Sequence, residues 1–131
     1  MGSVTSVCVD AFGEDICIRD EVVYCQAGSF ARGVVVGHSY GNVITLRDIV
    51  TSELREIISS FVLKSSSVSS SKIVVDDIVV TLPFFKKAIV TSVLGDEVGY
   101  RFLDGVMERY TVRSMMCKVK PGVSLKWMIC Q

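Results

Sequence analysis

The chain has 131 residues, half of them apolar, and it carries 14 basic and 14 acidic side chains. This length allows one ordinary domain or two very small ones. The balanced charge argues against a strong non-specific nucleic-acid binder, which normally carries a basic excess. No segment comes near the roughly 18 uninterrupted apolar residues of a membrane-spanning helix. The sequence therefore predicts no transmembrane segment.

Cysteine and histidine usage bounds the chemistry of the chain. There are five cysteines and one histidine, and no Cys-x-x-Cys pair occurs. This usage predicts reduced, buried thiols in an intracellular protein, not a disulfide framework or a metal site. The sequence also lacks a phosphate-binding glycine-rich loop, a nucleophile elbow and a paired-carboxylate motif. We therefore expect no enzyme activity and no cofactor.

Residues 1–19 form an N-terminal extension. Two short strands are predicted at residues 4–9 and 16–18, with a turn between them at residues 12–15. A basic region followed by an apolar core is missing, so the start does not predict a secretory signal. The first six residues match the M-G-x-x-x-[ST] pattern of N-myristoylation at Gly2. Membrane association through a myristoyl group at Gly2 is the alternative to an intracellular location without a lipid anchor.

Residues 20–64 and 73–119 repeat one pattern. Four pairs of segments can be aligned in order, namely 20–24 with 76–80, 30–35 with 85–90, 43–48 with 99–104, and 55–64 with 109–118. A period near 50 residues with only two copies indicates two small domains and not a solenoid. Valine and isoleucine dominate the apolar runs, which favours strands over helices.

The second copy predicts five strands, at residues 73–80, 87–93, 98–103, 108–111 and 115–119. Turns are predicted at residues 95–97 and at Asp104-Gly105. In the first copy, residues 50–61 fit either an amphipathic helix or a strand with a short 3₁₀ turn, and the repeat favours the second. Residues 65–72 form a Ser-rich linker. In the C-terminal segment, residues 120–131, residues 120–122 predict a turn and residues 123–130 alternate well enough for a last strand. Trp127 in that strand is predicted to cover the contact between the two copies.

The second copy resembles a Tudor domain. The resemblance is carried by Asp77-Ile78-Val79-Val80, by residues 84–90 (FFKKAIV) and by residues 100–105 (YRFLDG). In the first copy, residues 21–24 (EVVY) and 29–38 (SFARGVVVGH) are similar to the tandem Tudor module of p53-binding checkpoint mediators. The resemblance implies an all-β fold of two tandem small five-stranded barrels, Tudor-like or Src-homology-3-like, packed together.

Tudor domains bind methylated lysine or arginine in a cage of aromatic side chains, often with one acidic residue. A methylated ammonium keeps its charge and loses hydration, so aromatic faces attract it by cation–π contact. The resemblance implies the following ligand-binding candidates: Phe84, Phe85, Tyr100, Phe102 and Asp104 in the second copy, and Tyr24, Phe30 and Tyr40 in the first. Leu46 replaces the third-strand aromatic in the first copy. We therefore expect binding in the second copy, with the first as structural support.

The resemblance implies a non-catalytic module that binds a protein peptide, such as a methylated histone tail, in a nuclear, chromatin-associated assembly. One alternative is a scaffold subunit that contacts only protein, in which Phe30, Phe85 and Phe102 fill two small cores. Another is an RNA-binding barrel, because residues 20–23 with Gly28 and residues 33–35 are also similar to barrels of transcription-elongation and ribosomal proteins. High apolar content and exposed sheet edges also predict self-association.

Overall fold

Residues 6–129 are described by the computed structural model, and the chain divides into two compact units, Met1–Ser66 and Ser67–Gln131. The division falls inside the predicted Ser-rich linker. Part of that segment belongs to the second unit, because Val68 forms a β-bridge with Val119 and the Ser67 carbonyl accepts a hydrogen bond from the Lys120 amide. Gly2 and the start of the predicted first strand lie outside the described residues.

From Ser6 onward, the first unit contains seven strands. These are β1 (Ser6–Val9), β2 (Asp15–Cys17), β3 (Glu21–Gln26), β4 (Ser29–Tyr40), β5 (Val43–Asp48), β6 (Leu54–Ile58) and β7 (Val62–Lys64). β1 and β2 form a small antiparallel hairpin, and the other five form a sheet in the order β6-β5-β4-β3-β7. A 3₁₀ turn, Ser59–Phe61, joins β6 to β7.

Up to residue 129, the second unit contains five strands and an α-helix. The strands are β8 (Ile78–Thr81), β9 (Lys86–Leu94), β10 (Glu97–Phe102), β11 (Arg109–Val112) and β12 (Met116–Lys118), and helix α1 is Pro121–Ile129. The strands form an antiparallel sheet in the order β11-β10-β9-β8-β12. A 3₁₀ turn, Arg113–Met115, joins β11 to β12.

The two five-stranded sheets have the same strand order and the same 3₁₀ turn before the last strand. The predicted all-β fold of two repeated five-stranded units is therefore confirmed. The prediction of strand plus 3₁₀ turn in residues 50–61 is also confirmed. The sheets are open, however, and do not close into the expected barrels. No hydrogen-bonded ladder joins β6 to β7 or β11 to β12 within residues 6–129.

Each unit buries its own apolar cluster. The first consists of Cys8, Ile16, Val22, Tyr24, Val35, Ile44, Leu46 and Val62. The second consists of Val79, Ala88, Val90, Val98, Tyr100 and Met116. Most members alternate along their strands, since every second side chain of a strand faces the same side of the sheet. The first cluster includes side chains from both strands of the N-terminal hairpin, so that hairpin is part of the first unit.

Strand pairing fixes which positions of the two units are equivalent. Val35 pairs with Leu46, and Val90 pairs with Tyr100. Both ladders then skip one residue of the longer strand in a β-bulge at the same position. The second strands and the closing segments align as the sequence predicted. The third strands align differently, because Leu46 corresponds to Tyr100 and Asp48 corresponds to Phe102.

The first strands are also shifted by one residue against the sequence alignment. Asp20 corresponds to Asp77, and both make the same contacts. The Oδ2 atom of Asp20 accepts the Cys17 amide at 2.8 Å, and the Oδ2 atom of Asp77 accepts the Val74 amide at 2.7 Å. A lysine of the last strand completes each motif, as Lys64 Nζ lies 3.5 Å from Asp20 and Lys118 Nζ lies 3.0 Å from Asp77.

The predicted C-terminal strand is wrong, because residues 121–129 form helix α1. Pro121 is the first residue of the helix, where its fixed φ and missing N–H are tolerated. Spacing by three brings Ser124, which is buried, and Trp127, which is partly buried, onto one side of the helix. Trp127 lies within the second unit, where Lys87 Nζ is 4.1 Å from its ring centroid. The alternation of residues 123–130 was too short to distinguish the two-residue period of a strand from the 3.6-residue period of a helix.

Candidate functional site

An aromatic ring with two cations and a carboxylate lies in the second unit. The Nζ atom of Lys86 is 4.6 Å from the ring centroid of Phe102 and 3.3 Å from Oδ2 of Asp104. The guanidinium carbon of Arg109 is 5.2 Å from the same centroid. Tyr100 meets Phe102 edge to face, with 5.5 Å between the centroids. We refer to Phe102 and Asp104 as the aromatic–acid site.

Strand register explains why these side chains meet. Ala88 of β9 pairs with Phe102 of β10, so Lys86, two residues earlier on the same face, is the diagonal neighbour of Phe102. Arg109 of β11 pairs with Tyr100, which makes it a diagonal neighbour of Phe102 on the other side. Diagonal neighbours are within reach of long and aromatic side chains. The sequence alone did not indicate that Lys86 and Arg109 converge on one ring.

The other aromatic candidates of the second unit have different roles. Tyr100 belongs to the buried cluster. Phe85 is buried as well, with a left-handed φ of 52°. Phe84 is 71% exposed in the turn before β9. Among the predicted residues, the contacts therefore join Phe102 and Asp104 through Lys86, with Tyr100 supporting the ring from the core.

The predicted ligand residues of the first unit do not form one site. Tyr24 is in the core, and its hydroxyl is bonded to Asp48. Phe30 and Tyr40 lie at opposite ends of the twelve-residue strand β4, and Tyr40 is exposed. The structure therefore gives no aromatic cage composed of Tyr24, Phe30 and Tyr40.

A polar network occupies the equivalent location of the first unit. Asp48 is buried and accepts hydrogen bonds from the Tyr24 hydroxyl and from the amides of Val50 and Thr51, at 2.8 and 2.9 Å. Burial and the Asp48 carboxylate raise the pKa of Tyr24 to about 12. The Tyr24 hydroxyl and the Thr51 amide hold the pKa of Asp48 below its usual value. Asp48 is therefore a fixed anion where the second unit has Phe102.

Gln26 extends this network to β6. The single hydroxyl proton of Tyr24 goes to Asp48, so the side-chain nitrogen of Gln26 must donate to the Tyr24 oxygen, at 2.8 Å. The side-chain oxygen of Gln26 then accepts from Nη2 of Arg55 at 2.5 Å. Arg55 is the counterpart of Arg109. A pocket of about 390 Å³ lies here, lined by Tyr24, Cys25, Gln26, Ala27, Leu54, Arg55, Glu56 and Ile57.

The two locations therefore share a backbone position and differ in chemistry. In each unit an arginine of the fourth strand lies beside the last residue of the third strand. That residue is a carboxylate in the first unit, which accepts the Tyr24 hydroxyl and is linked to the arginine through Gln26. It is an aromatic ring in the second unit, which collects cations on its surface. The second location is the one suited to a cationic ligand.

Within residues 6–129, no group of three or more His, Cys, Asp or Glu side chains is placed to hold a metal ion. No helix in the same part of the chain has the length and apolarity needed to cross a membrane.

The chain matches no protein-family model, and no curated protein is significantly similar to it. The resemblance to Tudor domains therefore remains a prediction.

Proposed function

We propose that this chain is a non-catalytic recognition module that binds a protein peptide through the aromatic–acid site of its second unit. The ligand group is a cationic side chain, with methylated lysine of a histone tail as the favoured case. Such a ligand would place the chain in a nuclear, chromatin-associated assembly. The proposal also keeps the first unit as structural support, because Asp48 stands there in place of the aromatic.

One observation carries the proposal. The ring of Phe102 already has an ammonium group 4.6 Å from its centroid, and the carboxylate of Asp104 lies 3.3 Å from the same nitrogen. An aromatic ring and a carboxylate on one ammonium are the contacts through which proteins bind lysine and its methylated forms. Each cation–π contact stabilises the complex by about 0.5–2 kcal/mol, depending on how much water is excluded. The exposed ring of Phe84, in the turn before β9, is the candidate third element of the site.

The test is a calorimetric titration with histone-tail peptides that carry unmodified or trimethylated lysine. We expect binding that requires methylation, and we expect Phe102→Leu to weaken it about tenfold by removing the ring while keeping an apolar side chain. Tyr40→Leu is the matched control, because it removes an exposed aromatic of the other unit. Equal binding of methylated and unmodified peptides would exclude methyl-lysine recognition. A loss of affinity in Tyr40→Leu as large as in Phe102→Leu would place the site elsewhere.

A second candidate ligand is single-stranded RNA, and the convergence of Lys86 and Arg109 on one ring favours it. Bases stack on aromatic side chains while neighbouring cations contact the phosphates. The carboxylate of Asp104 beside Lys86 opposes this ligand. Binding of a fluorescent oligouridine that falls steeply with salt, and that Lys86→Ala and Arg109→Ala both weaken, would favour RNA over peptide.

A further inference from the structure

Lys86 lies where the ammonium group of a ligand would have to lie. Its Nζ atom makes the two contacts, with the Phe102 ring and with Oδ2 of Asp104, that the proposed function assigns to a bound cation. We propose that Lys86 is an intramolecular occupant of the aromatic–acid site, and that a cationic ligand binds after Lys86 has left it. This inference rests on the proposed function and adds how the site is controlled.

The geometry makes this occupancy reversible. The Lys86 side chain is 44% exposed and the Asp104 side chain is 71% exposed, so water screens their ion pair and the pair is weak. The cation–π contact of a partly exposed ring is also weak. Lys86 extends from β9 and reaches the site with its flexible side chain alone. Its departure therefore requires no change in the sheet.

The same geometry argues that Lys86, and not Arg109, is the group that leaves. Lys86 contacts both the ring and the carboxylate, so it fills both subsites of a ligand ammonium. The guanidinium of Arg109 lies over the ring, with its central carbon 5.2 Å from the centroid. A ligand can therefore share the ring with Arg109, but it competes with Lys86 for the carboxylate as well.

Occupancy by Lys86 lowers the apparent affinity in proportion to the fraction of molecules whose site is closed. Two weak contacts favour the closed state by about five- to tenfold. Removing the Lys86 side chain should therefore tighten ligand binding by that factor. It should do so without a new contact to the ligand.

The experiment titrates a capped five-residue peptide, with one central trimethyllysine between glycine and serine residues, into four proteins. These are the wild type, Lys86→Ala, Lys120→Ala and the double variant Lys86→Ala with Phe102→Leu. We expect Lys86→Ala to bind about five- to tenfold more tightly than the wild type. Lys120 is an exposed lysine of the same unit, so Lys120→Ala should bind like the wild type. The double variant should lose the gain in affinity, because the Phe102 ring is absent.

A second measurement follows Lys86 directly by NMR. In the free wild-type protein, the ε-methylene protons of Lys86 should be shifted upfield by the Phe102 ring, and saturating peptide should move them back. Peptide binding that leaves these protons unmoved would overturn the inference. Equal affinities of wild type and Lys86→Ala would also overturn it, while leaving the proposed function intact. If neither the wild type nor Lys86→Ala binds the peptide, occupancy of the site by Lys86 does not explain the lack of binding, and the proposed function itself is overturned.

Discussion

The repeated aspartate–lysine motif gives a stability prediction that differs between the two units. The Oδ2 atom of Asp77 accepts the Val74 amide and lies 3.0 Å from Lys118 Nζ, and these two side chains are 16% and 10% exposed. Lys118 Nζ also donates to the carbonyl of Lys72 at 2.9 Å. Asp77→Ala would leave a nearly buried ammonium without its anion and a backbone N–H without its acceptor.

Removing one partner of a buried ion pair costs about 3–5 kcal/mol, and pairs at the surface contribute about 0–1 kcal/mol. Since Asp77 and Lys118 keep some exposure, we expect Asp77→Ala to lower the free energy of unfolding by about 2–4 kcal/mol. In the first unit the Asp20–Lys64 distance is 3.5 Å, and the side chains are 29% and 25% exposed. Asp20→Ala should therefore cost less, about 1–2 kcal/mol.

Urea unfolding followed by the fluorescence of Trp127 measures the effect in the second unit, because Trp127 is the single tryptophan and lies there. Hydrogen exchange of residues 20–64 measures the first unit. Asp77→Asn separates the two contributions, since its amide oxygen still accepts the Val74 amide while the negative charge is lost. A double-mutant cycle with Lys118→Met should give a coupling energy of about 1–2 kcal/mol.

Two results would refute this reasoning. If Asp77→Ala unfolds at the wild-type urea midpoint, the ion pair does not stabilise the second unit. If Asp20→Ala is the more destabilising variant, burial does not rank the two motifs. In that case the two aspartate–lysine pairs would have the same geometry for a reason other than the attraction between their charges.

Three further predictions concern the first unit. Gly33→Ala should lower the unfolding free energy by about 1–3 kcal/mol in a thermal melt, because the added Cβ would lie 2.7 Å from Cδ1 of the fully buried Leu46. Gly37→Ala on the same strand is the control, because its Cβ would meet Thr45 at an ordinary 3.8 Å. The Tyr24 hydroxyl should titrate near pH 12 in ultraviolet absorption, and urea midpoints should show that its stabilising contribution is complete below about pH 10 and lost as pH rises through 12. If all tyrosines titrate near pH 10, the burial of Tyr24 is contradicted. Asp10→Ala should lower the free energy of unfolding in urea by about 2–3 kcal/mol, because the buried carboxylate accepts the amides of Phe12, Glu14 and Lys64. A wild-type urea midpoint would mean that these bonds do not hold the β1–β2 hairpin.

Much of the fold was predictable because its signals are local. Runs of β-branched residues gave the strands, and the similar order of the two halves gave the duplication. The alignment of Val35 with Val90 and of Arg55 with Arg109 is confirmed by the strand pairing. These segments contain distinctive residues at fixed spacing, so comparison of the two halves was enough.

The candidate site was predictable in part. Phe102 and Asp104 were identified through the resemblance, and the structure places them on one ammonium. Lys86 as the group between them was not identified, because its contact depends on cross-strand register and not on nearness in sequence. The buried position of Tyr24 beside Asp48 was missed for the same reason. Its partner is 24 residues away, and an aromatic in a strand predicts a ligand contact as readily as a core position.

The sequence by itself determined the all-β class and the two-fold repeat, since strand propensity and alternation are properties of neighbouring residues. The tertiary structure decided the register of the third strands, the open edges of both sheets and the C-terminal helix. A bulge that skips one residue changes which side chains face each other across a sheet, and no single strand records it. That register places Asp48 where the other unit has Phe102, and this exchange of carboxylate for ring distinguishes the two units.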